Sequence, residues 1–356
     1  MPTDPMPTDS MRTASMRTDP IRVGLIGGGG IATFHIAGYQ QHADVIRITA
    51  VADAVAATAE ARGAELGVPH FTDYVEMLER ADVDAVDICL PHHLHRDAIV
   101  AAARAGKHVL CEKPLCLTPD EARDVQAAVT EAGVTLMCAH NQLFLPAVAA
   151  AKELIDSGAL GTVYEVRTTD SFRNDFDPSN MGWRAHAAQS GGGELIDTGY
   201  HPSYLLMHLA GGVPVQATAM LSTHRLRFME GEDSAQALFR FDNGSVGQLV
   251  TSWAYEPAAG TERFSVVGEL GALTSDGTTL RWDLLDGTSE TRTFDEVDTF
   301  AAEVGAFGVC LREGTRPIHT EREGIAVLGM ILAAYEGART GTIAPVLRVD
   351  ESVAAV

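Results

Sequence analysis

Four consecutive glycines, Gly27 to Gly30, join an apolar run to a helical pattern, and they restrict the fold more than anything else in the 356 residues. Arg22 to Ile26 reads as a short buried strand and Ile31 to Gln41 as a helix, so the glycines form a strand-to-helix turn. Gly27-Gly28-Gly29-Gly30-Ile31-Ala32 fits the spacing G-x-G-x-x-G/A. Glycines let the backbone approach a pyrophosphate closely, and the helix N-terminus supplies amide donors and the positive end of a dipole. A second strand, Ile46 to Ala52, ends at Asp53. A carboxylate there would accept hydrogen bonds from ribose hydroxyls and repel a 2′-phosphate. Ala54 follows, and Arg62 is a full helix further on. The expected cofactor is therefore NAD rather than NADP. Asp53 is equally suited to cap the next helix.

Strand and helix continue to alternate. Residues 54–66 read as a helix stopped by Gly67, Val83 to Leu90 as a strand closed by Pro91, and 94–105 as a helix stopped by Gly106. Lys107 to Cys111 and Thr135 to Ala139 are strands around a helix, Pro119 to Ala132, capped by Thr118. This order implies βαβ units and a parallel sheet, a Rossmann domain over residues 21–140.

The pattern changes after residue 141. A helix at about 146–157 and a strand at Val163 to Thr169 lead into a polar and aromatic loop, 170–190. Gly191-Gly192-Gly193 precedes a predicted helix over about 194–209. Strand-like runs follow at 214–222, 234–241, 245–253, 262–267, 271–275, 279–284 and 290–294, several separated by Gly or Asp-Gly turns. Helices at about 298–313 and 320–340 end the pattern. Runs of strands joined by tight turns imply an α+β domain, residues 141–345, with a large, mostly antiparallel open sheet. Residues 1–20, a degenerate five-residue repeat with methionines at 1, 6, 11 and 16, should be a disordered tail.

A formal charge of −22 argues against nucleic-acid or anionic-membrane partners, which need a basic footprint. No stretch approaches the roughly 20 apolar residues of a membrane helix, and the N-terminal repeat lacks the apolar core of a secretory signal. The five cysteines, Cys89, Cys111, Cys116, Cys138 and Cys310, are odd in number and form no Cys-x-x-Cys pair, which fits reduced thiols in a cytoplasmic protein.

Lysine is nearly absent: only Lys107, Lys113 and Lys152 occur. Arginine keeps its charge at any working pH, whereas a desolvated lysine can change state. Lys113 closes an apolar strand in Val109-Leu110-Cys111-Glu112-Lys113-Pro114, a position that invites chemistry. Asp197 and His201 are four apart on the predicted helix and so should share a face, with the carboxylate fixing the imidazole tautomer. His92, His93 and His95 form a loop cluster without nearby carboxylates, a weak metal-ligand set, and no metal is expected.

Over residues 21–341 the chain resembles the Gfo/Idh/MocA family of NAD(P)-dependent sugar and cyclitol oxidoreductases. The likeness rests on Gly27-x-Gly29-x-x-Ala32-x-x-His35, Gly106-Lys107-His108-Val109 with Glu112-Lys113-Pro114, Phe144-x-Pro146, Trp183-Arg184, Gly191-Gly192-Gly193 with Asp197-x-x-x-His201, and Phe264-x-Val266-x-Gly268-x-x-Gly271. The resemblance implies that Lys113 touches nicotinamide ribose and substrate, and that Asp197 and His201 complete the catalytic set. It implies that Pro91, His92, His95 and Glu112 line the cofactor groove beside Gly27, Gly29, Gly30, Ile31, Ala32 and Asp53. Trp183 and Arg184 should lie near substrate or nicotinamide, and Arg173, Asn174, Asp175 and Asn180 suit a polyhydroxylated ligand. A homodimer or homotetramer through the open sheet is also implied. The chain departs from many relatives at His92, Leu143 and Tyr204, where Asn or Thr, arginine and aspartate are frequent.

The expected function is NAD-dependent oxidation of a secondary alcohol of a cyclitol or pyranose, with His201 as the base, Lys113 polarising the hydroxyl and Asp197 orienting His201. Two other readings are a non-redox glycosidase that retains its NAD, and a catalytically silent sugar- or NAD-binding regulator; a silent regulator need not keep Lys113, Asp197 and His201 together.

Overall fold

A computed structural model describes residues 19–348, so the expected tail, apart from its last two residues, lies outside the described residues. Six strands, β1 (Ile21–Ile26), β2 (Ile46–Ala52), β3 (His70–Phe71), β4 (Ala85–Ile88), β5 (His108–Glu112) and β6 (Leu136–Ala139), form a parallel sheet in the order β3-β2-β1-β4-β5-β6. The order reverses between β1 and β4, and the crevice beyond the strand ends at such a switch point is where a dinucleotide binds. Helices α1 (Gly30–Gln41), α2 (Ala56–Leu66), α3 (Tyr74–Arg80), α4 (His95–Arg104) and α5 (Pro119–Ala132) connect the strands. β1 and β4 are almost wholly buried, as continuous apolar runs require. Thr118 caps α5 by accepting from Glu121 N, with Pro119 in the first turn. The short β3 and α3 are too brief to show a period, and only the Asp73 cap on Val75 N marks the helix.

The second half contributes α6 (Pro146–Asp156), β7 (Val163–Ser171), α7 (Ala187–Ser190), α8 (Tyr200–Ala210), β8 (Pro214–Ser222), β9 (Ser234–Phe241), β10 (Val246–Ser252), β11 (Phe264–Gly268), β12 (Gly271–Ser275), β13 (Thr279–Leu284), β14 (Ser289–Thr293), α9 (Thr299–Glu313), α10 (Glu321–Thr340) and β15 (Ala344–Pro345). Its nine-stranded sheet runs β14-β13-β12-β11-β7-β10-β9-β8-β15, antiparallel except where β7 pairs with β10. α8 lies on β7 and β10, and α10 packs on β8, α5 and β6.

The helix expected over 194–209 is shorter than its pattern suggests. Residues 194–199 form turns closed by Asp197 N and Gly199 N on Glu194 O, at 3.1 and 2.9 Å, and α8 starts only at Tyr200. The glycines allow this: Gly193 is pressed on the backbone of Glu232 with no room for a Cβ. Asp197 and His201 are therefore not paired by helical register.

α9 returns to the first sheet and packs along α1. Contact is close because Gly38 has no side chain: a Cβ there would sit 3.0 Å from Ala301 Cα and 3.2 Å from Phe300 O. We propose residues 21–140 and 141–345 as the two domains, with α9 crossing that boundary. Backbone atoms cannot rotate away, so Gly38→Val should overpack the helix pair and destabilise the fold by about 1–3 kcal/mol. An unchanged urea midpoint would show that α1 and α9 separate freely.

Candidate active site

A groove of about 670 Å³ runs between the sheets. Gly27, Gly29, Gly30, Ile31, Asp53 and Pro91 line one side; Asn174, Phe176, Trp183, Arg184, Asp197, Thr198 and Trp253 line the other. The glycines have different reasons. Gly27 has φ +95°, and a Cβ would meet Cys89 O at 2.5 Å, so the fold itself demands glycine. At Gly29 and Gly30 a Cβ would meet nothing within 4 Å. Nothing inside the protein excludes a side chain there, and the open space suits a group resting on the loop. No side chain caps the first turn of α1, which leaves amide donors for an anion. These features fit a dinucleotide pyrophosphate.

Asp53 ends β2 with Oδ2 accepting from Gly28 N and Oδ1 from Val55 N, each at 2.8 Å. The carboxylate is locked beside the loop; Val55, not Asp53, is the cap residue of α2. Sequence distance misled at Arg62. One turn of α2 after another brings it back over the loop, where Nε donates to Gly28 O at 3.0 Å and Nη2 to Thr33 Oγ1 at 2.8 Å. Nη1 is paired with Glu65. Its donors thus hold the glycine loop.

The other expected cofactor residues divide by depth. Ala32 is fully buried against Leu25, Ile36 and Val51 and gives close helix packing rather than a groove surface. His92 is buried, with Nδ1 2.9 Å from Ser190 O and its ring edge-on to Trp183 at 4.4 Å. Burial lowers it to about 3, so it is neutral. His95 bridges Pro114 O and Leu90 O, each at 2.7 Å. Neither His92 nor His95 lines the groove; they brace its floor. Among the described residues one group of metal-ligand type converges, the buried His35, Asp87 and Cys89. His35 Nδ1 and Asp87 Oδ2 are already bonded at 2.8 Å, and an ion would have to break that pair.

Lys113 follows directly on β5. Its Nζ donates to Asp197 O at 2.9 Å and Oδ1 at 3.0 Å, and Arg184 Nε donates to Oδ2 at 2.7 Å. Burial opposes ionisation of Asp197, but the charges of Lys113 and then Arg184 outweigh it and hold the carboxyl well below its ordinary range. The Arg184 guanidinium also lies 4.3 Å from the Trp183 ring centre. Glu112 is fixed from two sides, by His35 at 3.1 Å on Oε1 and by Lys113 N at 3.0 Å on Oε2.

His201 departs from expectation. Asp197 has given both oxygens to cations, and His201 Nδ1 instead lies 2.9 Å from Tyr204 Oη. Burial and then Lys113 lower His201 to about 3. Arg173 is exposed, and its neighbours Asn174 and Phe176 line the groove, because alternate residues of this extended segment face opposite ways. Trp253 and Thr198 escaped sequence reading. They come together only in space, with Trp253 Nε1 donating to Thr198 Oγ1 at 2.8 Å.

Both halves of the chain match known families. Residues 21–140 match the model of the oxidoreductase family with an NAD-binding Rossmann fold, and 148–274 that of the GFO/IDH/MocA C-terminal domain. The chain is 33% identical to D-xylose 1-dehydrogenase (NADP(+)) 2 of Haloferax volcanii, over 82% of this chain and 90% of that protein. It is 27% identical to scyllo-inositol 2-dehydrogenase (NAD(+)) of Bacillus subtilis, over 89% and 94%. A solved levoglucosan dehydrogenase, in complex with NADH and levoglucosan, superposes with a TM-score of 0.83 at 26% identity, covering 92% of this chain and all of that one.

The Glu112 clamp has a consequence for acid stability. Burial would push Glu112 up, but the His35 hydrogen bond and charge, followed by Lys113, hold it at about 2. A depressed carboxyl contributes stability that is complete above its unfolded pKa, about 4.3, and is lost as pH falls toward the folded value. Glu112→Gln should therefore flatten the loss of unfolding free energy between pH 5 and 2.5 by about 2 kcal/mol. Urea titrations across that range that show parallel curves for both proteins would refute the clamp.

Proposed function

The chain belongs to the Gfo/Idh/MocA oxidoreductase family, and from that premise we propose that it is an NAD-dependent dehydrogenase acting reversibly on a secondary hydroxyl of a cyclitol or pyranose. The observation that carries the reading is Lys113, held on Asp197 beside the groove and close enough for its charge to depress His201. A bound nicotinamide dinucleotide supplies the hydride acceptor.

The protein's residues handle the proton and the charge. The Lys113 ammonium has three hydrogens. Two are directed at Asp197, which leaves one for a substrate oxygen. Donation there stabilises negative charge as the hydroxyl proton departs. His201, neutral at working pH, takes that proton through Nε2. Arg184 keeps Asp197 turned toward Lys113, and Trp183 gives a ring substrate an apolar face. Asn174, rather than Arg173, is the amide suited to a second hydroxyl.

We assign NAD over NADP because Asp53 is fixed at the end of β2 and Arg62 is committed to the loop. We also propose a homodimer or homotetramer through the outer face of the large sheet, where Met220 and Leu238 are 83% and 49% exposed on neighbouring strands. A cytoplasmic site fits five free cysteines. Among the described residues no helix is long and apolar enough to cross a membrane.

NADH formation across inositols, aldoses and anhydro-sugars tests the reaction. Lys113→Ala should lower kcat by about 10²–10³ through lost charge stabilisation while the NAD Kd moves only a few-fold. Weak NAD binding with near-normal turnover at saturation would remove Lys113 from the chemistry. Asp53→Ser should narrow the preference for NAD over NADP by about 10–100-fold, the size of one hydrogen bond to a charged group. Unchanged kcat/KM ratios would take cofactor choice away from Asp53.

A further inference from the structure

We propose that Tyr204 is a positioning residue that decides which nitrogen of His201 carries the hydrogen, keeping Nδ1 protonated and Nε2 open. The inference rests on the reading of His201 as the base and gives it a mechanism.

Tyr204 is fully buried, and its ring stacks on His140 with centres 4.2 Å apart. Its hydroxyl meets three groups: Gln142 N at 3.0 Å, His201 Nδ1 at 2.9 Å and Asn141 Oδ1 at 3.4 Å. A phenol has one hydrogen to give and two lone pairs. Gln142 N–H can only donate and fills one lone pair. Asn141 Oδ1 can only accept, while Nδ2 of the same amide donates to Thr299 Oγ1 at 3.0 Å. If Tyr204 gives its hydrogen to Asn141, the remaining lone pair accepts His201 Nδ1–H, and all four groups are satisfied. If it gives the hydrogen to His201, Asn141 Oδ1 is left buried without a donor, at a cost of about 1–3 kcal/mol. The first arrangement wins, and it leaves Nε2 as the acceptor that alcohol oxidation needs.

The surroundings make this neutral partner matter. Lys113, Glu112, Asp197 and Arg263 act on His201 from the other packed elements, with His140 behind Tyr204. Asp197 is taken by Lys113 and Arg184. The hydrogen bond to Tyr204 is therefore what orients the imidazole.

Two variants separate the possibilities. Tyr204→Phe keeps the stacked ring and removes only the hydroxyl; Asn141→Leu keeps the hydroxyl and removes its acceptor. ¹⁵N-histidine NMR of the full chain at neutral pH, with the His201 signal identified by its loss in His201→Gln, reads the tautomer directly. Wild type should show Nδ1–H. Asn141→Leu should invert it to Nε2–H, because Tyr204 then donates to Nδ1. Tyr204→Phe should show a mixture, with kcat down about 10–100-fold and substrate KM within about threefold. A wild-type Nε2–H tautomer, or an unmoved tautomer in both variants, overturns the proposal. The tautomer is read without turnover, so a failure of the sugar-oxidation reading alone leaves the NMR result standing.

Discussion

Two charges that are costly to bury meet between the sheets. Lys113 extends from β5 and Asp197 from the turns before α8, with side chains 10% and 7% exposed. Each ion gives up several kcal/mol of hydration on burial, and a pair recovers it only with good geometry and further partners. Here the partners exist: Asp197 accepts from Lys113 on one oxygen and from Arg184 on the other. Two cations share one carboxylate, so this trio carries one positive charge in excess, set above the single negative excess of His35, Asp87 and Glu112. That surplus is of little use to stability. It is suited to an oxygen that becomes negative during reaction.

The pair's position depends on groups beneath it. His35 sits on α1, the helix whose N-terminus opens on the groove, and binds both Asp87 on β4 and Glu112 on β5. Burial opposes a charge on His35, yet Asp87 and its neighbours raise it well above an ordinary imidazole. A charged imidazole between two carboxylates thus ties the dinucleotide helix to the strand that delivers Lys113. His95 adds a second tie, joining Leu90 O to Pro114 O on either side of the same floor. Cofactor loop and Lys113 are parts of one braced unit.

Much of this was legible from residues alone, and the misses share a cause. Strand–glycine–helix order, Asp53 and the turn-linked strands of the second sheet are local signals, and the structure carries them all. Lys113, Asp197 and Arg184 were named, but their mutual pairing came from chain paths that spacing does not encode. Asp197–His201 was misread because a period of four means a shared face only inside a helix, and glycines delay α8 to Tyr200. Arg62 was set aside on sequence distance, although helix α2 folds back over the loop. His35 stood within a quoted motif without a role, since its partners are 52 and 77 residues away.

How the proton and the charge divide follows from His201 itself. An imidazole lowered to about 3 is neutral at any working pH and so can accept a proton, but its protonated form is unfavourable by a few kcal/mol relative to a free imidazole. Carboxylates would offset that, but Asp197 is committed to two cations and Glu112 to His35 and Lys113 N. Basicity alone is then a poor explanation for loss of an alcohol proton. In the proposed reaction the burden would shift to the oxygen that remains: Lys113, with a hydrogen still to give, would make the hydroxyl more acidic instead of making the imidazole more basic. In that proposal, orientation of Nε2 and polarisation of the hydroxyl are separate tasks, one for the Tyr204 hydrogen bonds and the other for the Lys113–Asp197–Arg184 cluster.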